Sequence, residues 1–152
     1  MKRIMGIDPG IRATGFALVE NGQLLDFGVI RTSAKSGFAD KLYRIYLAIK
    51  EVLDRWRPEL AAMENVIYHR NVKSALTLGA VRGVVMLALR EQNVEIVEFS
   101  PTKIKLAVTG NGRASKEQIK FMVKKILGLD GQDISEHVAD ASACAITALR
   151  NI

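Results

Sequence analysis

A tight hairpin near the amino terminus is the sequence feature that most restricts the fold. Asn21-Gly22 is the strongest short signal for a two-residue hairpin, and it separates an apolar run over residues 13–20 from another over residues 23–32. A third apolar run, over residues 1–8, precedes them. The sequence therefore predicts three consecutive antiparallel strands.

Helices and further strands follow in an order that narrows the fold class. The predicted strands lie over residues 60–63 and 94–99. The predicted helices lie over residues 39–56, over residues 71–91, after Pro101, from near Ser115, and over residues 135–150. The order β-β-β-α-β-α-β followed by helices is typical of an α/β, RNase H-like fold, a mixed five-stranded sheet flanked by helices.

The chain has the length and composition of one folded unit. Its 152 residues include 49% hydrophobic and 25% charged residues, as in ordinary globular proteins. No repeat, low-complexity tract or Pro/Gly/Ser-rich linker interrupts it. We predict a single RNase H-like domain over residues 1–152.

The sequence gives little indication of a membrane span, a signal peptide or a disulfide bond. No apolar stretch is expected to reach the roughly 20 residues that span a bilayer, and the amino terminus resembles a strand rather than a signal peptide. We therefore expect a cytoplasmic protein without membrane contact. The only cysteine, Cys144, lies in an apolar helical pattern and is predicted to be a buried, inert thiol.

The positive charge of the chain is concentrated in one segment. Residues 101–125 contain seven lysines and arginines against one acid, Glu117, which accounts for the whole formal net charge of +6. We call residues 101–125 the basic segment. Such a concentration indicates binding to a polyanion, and its alternative is a solvated helix face.

Four side chains could form a metal site. Asp8 and Glu64 each follow directly after a predicted strand, while His137 and Asp140 lie one turn apart on the last helix. Taken singly, each has a structural alternative: a turn residue, an acid at a strand end, a surface histidine, and a capped or ion-paired aspartate.

Together these four residues indicate more than they do separately. Small residues on the face of the last helix should let it lie close to the sheet, so that all four side chains converge. Oxygen-rich sites suit Mg²⁺ or Mn²⁺, and two such ions can assist in-line hydrolysis of a phosphodiester. The pattern predicts a metal-dependent nuclease.

Four stretches of the sequence carry a resemblance to a known family. They are GIDPGIRATGFALVE, MENVIYHRNVKSALTLGAVRG, VTGNGRASKEQI and HVADASACAIT, and they span nearly the whole chain. In this order and spacing they resemble the RuvC family of crossover junction endodeoxyribonucleases, which resolve Holliday junctions by paired nicks. The resemblance implies a role in DNA recombination and repair.

The resemblance assigns roles to individual residues. It implies that Asp8, Glu64 and Asp140 are catalytic acids and that His137 occupies the fourth ligand position, where some members carry Asp. It also implies two Mg²⁺ ions, with Mn²⁺ able to substitute. Since an imidazole ligand must be neutral, activity is predicted to fall in the mildly acidic range where histidine ordinarily titrates.

The resemblance also identifies DNA contacts. It implies that Lys105 and Lys116, both in the basic segment, contact DNA; Arg113 lies in the same segment and is expected to bind DNA as well. Many relatives have a base-stacking aromatic where this chain has Ile67. Tyr68 beside it could take that role or be an ordinary core or surface tyrosine, while His69 and Arg70 are available for phosphates.

A symmetric four-way junction calls for a symmetric enzyme. The helix over residues 71–91 is apolar on more than one side, so one face could cover the sheet and another a second copy, as in the family's homodimers. The alternative is a helix buried on both sides within one chain. The resemblance further implies work with the RuvA and RuvB branch-migration complex.

Three competing functions stay open at this point. An actin-like or sugar-kinase ATPase would share Asp8-Pro9-Gly10, but 152 residues leave no room for its second domain. A related RNase H-like nuclease could cut RNA precursors or simple duplexes. A non-catalytic module could bind nucleic acid through the basic segment alone.

Overall fold

The computed structural model describes residues 2–65 and 71–151 and consists of one sheet with helices on both faces. The strands are β1 (Arg3–Asp8), β2 (Ala13–Glu20), β3 (Gln23–Arg31), β4 (Leu60–Glu64) and β5 (Glu95–Phe99). The helices are α1 (Phe38–Trp56), α2 (Val72–Glu91), α3 (Pro101–Thr109), α4 (Lys116–Ile126) and α5 (Glu136–Arg150). Ser115 begins α4 with a capping box to Gln118, as the sequence predicts.

The sheet is mixed, with strand order β3-β2-β1-β4-β5. The first three strands pair antiparallel, and β1, β4 and β5 pair parallel. Ile7 of β1 lies beside Met63 of β4, so Asp8 and Glu64 follow at neighbouring carboxyl ends of parallel strands. The prediction of a five-stranded mixed sheet of the RNase H type is confirmed.

Side-chain alternation along the strands divides the core into two layers. Met5 and Ile7 of β1 point toward α1 and α2, where they pack with side chains such as Ile49 and Val85. Ile4 of β1 points the other way, toward α3, α4 and α5. By the same alternation Asp8 and Glu64 project on the α5 side of the sheet.

Helix α2 corrects one expectation. It has 20 residues and is apolar enough to cross a membrane by length and composition, so the expectation that no stretch reaches that length is wrong. A single such helix is weak evidence for a membrane span, because core helices of soluble proteins pass the same test. Here Val81, Val85 and Leu89 are fully buried against the rest of the chain.

The outer side of α2 is not covered by the parts of the chain that the structure describes. Leu76 is 71% exposed and Leu87 is 57% exposed. The alternative of a helix buried on both sides within one chain is therefore wrong.

Candidate active site

Two glycines bring α5 directly onto the sheet. A Cβ atom at Gly6 of β1 would lie 1.8 Å from the carbonyl oxygen of Ala141, and one at Gly15 of β2 would lie 2.3 Å from that of His137. Both obstructing atoms belong to the backbone of α5, so the helix would have to move to admit a side chain. The absence of side chains at Gly6 and Gly15 therefore sets the distance between α5 and the strands.

This close approach brings the first turn of α5 next to Asp8 at the end of β1. Gly15 pairs with Asp8 in the hairpin register, and the first turn of α5 lies over that pair. His137 Nδ1 consequently lies 3.3 Å from Asp8 Oδ2. The hydroxyl of Thr14 donates a hydrogen bond to the Gly10 carbonyl oxygen (2.8 Å) and accepts one from the Gly10 amide (3.2 Å), which fixes the turn after Asp8.

A cavity of about 470 Å³ opens above these strand ends. Asp8, Glu64 and Asp140 line it, together with Lys105 and Lys116. The structure thus brings three predicted acids and two predicted DNA-contacting lysines into one cavity. His137 does not line this cavity; it reaches Asp8 from beside it.

Burial and mutual repulsion disfavour the charged forms of the three acids. Burial, with the charge of Asp140 as the next cause, raises the pKa of Asp8 to about 6, against the opposing contact with His137. Burial likewise raises the pKa of Glu64, and the Asp140 charge adds to the rise. Burial also raises the pKa of Asp140, although Lys116 opposes that change. Such carboxylates are typical of functional sites.

The donor set suits a hard divalent cation. The three acids offer carboxylate oxygens, and a divalent charge would offset the repulsion and desolvation that raise their pKa values. In the arrangement observed over residues 2–65 and 71–151, no three His, Cys, Asp or Glu side chains converge closely enough to hold a single ion. The chemistry of the cavity fits the cation, while binding would require the side chains to move closer together.

The remaining predicted DNA contacts lie in different places. Arg113 is exposed and is not among the residues that line the cavity. The alternative of a solvated face applies to part of the basic segment: Lys120 lies 3.5 Å from Asp133, whose side chain is 98% exposed. Exposed pairs of this kind are weak and leave a lysine free to exchange its partner for a phosphate.

Other predictions for DNA contact fall on residues 66–70. Ile67, Tyr68, His69 and Arg70 lie outside the residues that the structure describes. Base stacking by Tyr68 and phosphate contact by Arg70 stay predictions.

Cys144 lines the same cavity as the three acids, and its side chain is buried. Burial raises the pKa of its thiol well above the usual range, and the charges of Glu64 and Asp8 add to the effect. The prediction that the thiol is buried is confirmed, and its inertness stays a prediction.

Sequence reasoning missed one charged residue of the cavity. Arg82 of α2 lines it and donates from Nη1 to the backbone carbonyl oxygen of Glu64 (2.8 Å) and from Nη2 to Glu98 Oε1 (2.8 Å). Its position inside the stretch LGAVRG was the available signal, because a charge within an apolar helix usually has a partner.

Comparison with known proteins gives one consistent result. A model of the family described as crossover junction endodeoxyribonuclease RuvC matches residues 4–148. The chain is 40% identical over 148 residues to the crossover junction endodeoxyribonuclease RuvC of Caldanaerobacter subterraneus subsp. tengcongensis, covering 95% of this chain and 90% of that protein.

Solved structures agree with the sequence comparison. The structure of T. thermophilus RuvC in complex with Holliday junction substrate is similar at TM-score 0.90 and 35% identity, covering 97% of this chain and 92% of that one. A yeast mitochondrial Holliday junction resolvase, at TM-score 0.68 and 14% identity, covering 98% of this chain and 78% of that one, has the same fold.

Proposed function

The chain belongs to the RuvC family of crossover junction endodeoxyribonucleases and is a nuclease, and from this premise we propose that it resolves Holliday junctions by paired, symmetric nicks near the crossover. The observation that carries the proposal is the shared cavity of Asp8, Glu64 and Asp140 beside Lys105 and Lys116. The cavity places the carboxylate ligands that a metal-dependent nuclease needs next to lysine side chains that can bind a polyanion. The role is in DNA recombination and repair.

Nucleases of this family depend on divalent metals. Two ions, Mg²⁺ with Mn²⁺ able to substitute, held by Asp8, Glu64, His137 and Asp140, would supply an activated water and stabilise charge on the leaving oxygen. The attacking water oxygen forms a bond to phosphorus as the bond to the 3′ oxygen breaks, so the products carry 5′-phosphate and 3′-hydroxyl ends. No covalent intermediate with the protein is required.

The side chains of the cavity divide the remaining work. Lys105 and Lys116 neutralise phosphate charge and hold the strand against the acids, since both line the same cavity. His137, 3.3 Å from Asp8, orients that carboxylate in addition to serving as the fourth ligand. Glu64 lies at the end of β4, whereas His137 and Asp140 lie on α5.

A second copy of the chain is the partner that we propose for α2. Its exposed side presents one stripe, Val72, Leu76, Gly79, Gly83 and Leu87, at spacings of four, three, four and four residues. Nothing lies within 4 Å of a Cβ placed on either glycine, so a second helix has room to approach. A homodimer places two equivalent active sites on the two equivalent strands of a junction.

The proposal has two consequences outside the active site. We propose that the enzyme acts in the cytoplasm, and that it receives junctions from the RuvA and RuvB branch-migration complex, as its family membership implies. The competing reading of a nuclease for RNA precursors or simple duplexes predicts no preference for branched DNA.

End-labelled DNA tests the proposal. A synthetic four-way junction and a linear duplex of one arm's sequence are incubated with the protein in Mg²⁺, Mn²⁺ or EDTA. We expect metal-dependent nicks at symmetric positions on two opposed strands of the junction, and ligase should seal them because of their 5′-phosphate ends. Asp140→Asn should abolish cleavage, whereas the exposed Asp130→Asn should not. Equal cutting of the duplex would contradict the proposal.

A further inference from the structure

Arg82 makes an unusual pair of contacts for a residue of α2. Its side chain is only 14% exposed, and it joins two elements of the sheet to the helix. Nη1 donates to the backbone carbonyl oxygen of Glu64 at the end of β4, and Nη2 donates to the carboxylate of Glu98 in β5. Both distances are 2.8 Å, as expected for hydrogen bonds from a charged donor.

The position of the bond to Glu64 matters because β4 ends at this residue. Glu64 is the last residue of β4, and the following amide, that of Asn65, still donates to the carbonyl oxygen of Phe99 at 2.7 Å. The guanidinium therefore binds the backbone of Glu64 at the carboxyl end of β4.

We infer that Arg82 is a positioning residue for Glu64: its bond to the Glu64 carbonyl oxygen holds the acid in place, and Glu98 holds the guanidinium. The inference rests on the proposed function, in which Glu64 is a catalytic acid. Because α2 also carries the exposed stripe assigned to the second copy, Arg82 connects the proposed dimer helix to the active site.

Lysine cannot replace arginine in this role. A guanidinium is a planar fork with separate donors that reach two acceptors in fixed directions, whereas an ammonium is a single flexible point charge. Arg82→Lys therefore keeps the positive charge of the cavity but loses the rigid bridge. Arg90→Lys is a matched control, since Arg90 lies on the same helix, is exposed, and its guanidinium donates to Asn93 alone among the residues that the structure describes.

Junction cleavage and junction binding are measured for both variants. We expect Arg82→Lys to lower kcat about ten- to hundredfold, since displacement of a catalytic group by about 1 Å has effects of that size. Its junction Kd in EDTA and the salt dependence of that Kd should stay at the wild-type values. Arg90→Lys should match the wild type in all three. Glu98→Ala should lower kcat by a smaller factor, because the Nη1 bond persists.

Amide hydrogen exchange supplies a readout that does not depend on activity. Arg82→Lys should speed exchange at the Asn65 amide, and leave unchanged the Glu95 amide, which bonds to Glu59 at the opposite end of the same strand pair (3.1 Å). Unchanged exchange at Asn65 would overturn the inference. If the wild type fails to cut junctions, the proposed function fails, and the exchange experiment still reports on the Glu64 backbone.

A direct role in DNA binding gives a different pattern. If Arg82 held a phosphate, Arg82→Lys would retain most of its activity, and Arg82→Gln would weaken junction binding and reduce its salt slope by about one. That result would also overturn the inference.

Discussion

Replacing Asp8 by asparagine should abolish cleavage and stabilise the metal-free protein. Burial and the charge of Asp140 raise the pKa of Asp8 from 3.8 to about 6. The folded state therefore holds its proton more tightly than the unfolded state does. Above pH 6 the ionised carboxylate opposes folding, and a neutral amide removes that opposition.

The size of the effect follows from the pKa shift. At about 1.4 kcal/mol per pKa unit, a shift of about two units sets an upper limit of about 3 kcal/mol. Asp8 is 30% exposed and its contact with His137 acts in the opposite direction, so we expect about 1–2 kcal/mol. For a protein of this size, each kcal/mol corresponds to about 2–4 °C in Tm.

The sign of the effect gives it a characteristic dependence on pH. In the wild type, the opposition to folding is fully present above pH 6, shrinks as the pH falls from 6, and disappears below 3.8, where the carboxyl group is protonated in both states. The difference in Tm between Asp8→Asn and wild type should therefore be largest above pH 6 and shrink toward pH 4.

Differential scanning calorimetry in EDTA at pH 7.5 and pH 4.5 measures this difference. Asp133→Asn is the control, since that side chain is 98% exposed. Adding Mg²⁺ should raise the Tm of the wild type more than that of Asp8→Asn. A variant that is less stable than wild type at pH 7.5 in EDTA, with an unchanged control, would refute the electrostatic argument.

Three further predictions concern activity and binding. Gly15→Ala should lower kcat about ten- to hundredfold in cleavage assays, because its Cβ would lie 2.3 Å from the His137 backbone and displace α5. The control is Gly37→Ala, which should leave kcat unchanged because the nearest atom to a Cβ at that position is 3.6 Å away. Equal effects of the two substitutions would exclude the packing argument. Lys105→Ala and Lys116→Ala should each flatten the salt dependence of junction binding by about one unit for each phosphate that the lysine neutralises in the wild type; an unchanged slope would mean that these lysines only solvate the surface. His137→Asp should shift the acid limb of the pH-rate profile, and an unshifted limb would contradict a ligand role for His137.

Much of the fold could be predicted because local signals and the order of elements agree. Asn21-Gly22 identified the β2–β3 hairpin, and both residues adopt positive φ (55° and 78°), as such a turn requires. Ser115 likewise identified the start of α4 through its capping box. The membrane expectation was wrong at α2, where a core helix with an uncovered side has the same composition as a membrane span.

The site was predicted in part, and the missing part is tertiary. Placement after strands located Asp8 and Glu64, because parallel strands bring their carboxyl ends together. Gly15 carries no local signal of its role, and the charge of Arg82 within an apolar helix indicates that it has a partner but not which one. Gly15 matters for the helix that crosses it, and Arg82 for a carbonyl group 18 residues earlier in the chain. Such roles depend on contacts between elements that only the assembled fold defines.

Cleavage of a supercoiled plasmid with an extruded cruciform tests the central claim most directly. Two symmetric nicks made across the cruciform within one encounter convert the circle directly into a linear molecule. We predict metal-dependent linear product from the cruciform plasmid and none from the same plasmid without the inverted repeat. Nicked circles alone, or equal cutting of both plasmids, would contradict the assignment of paired junction resolution to this site.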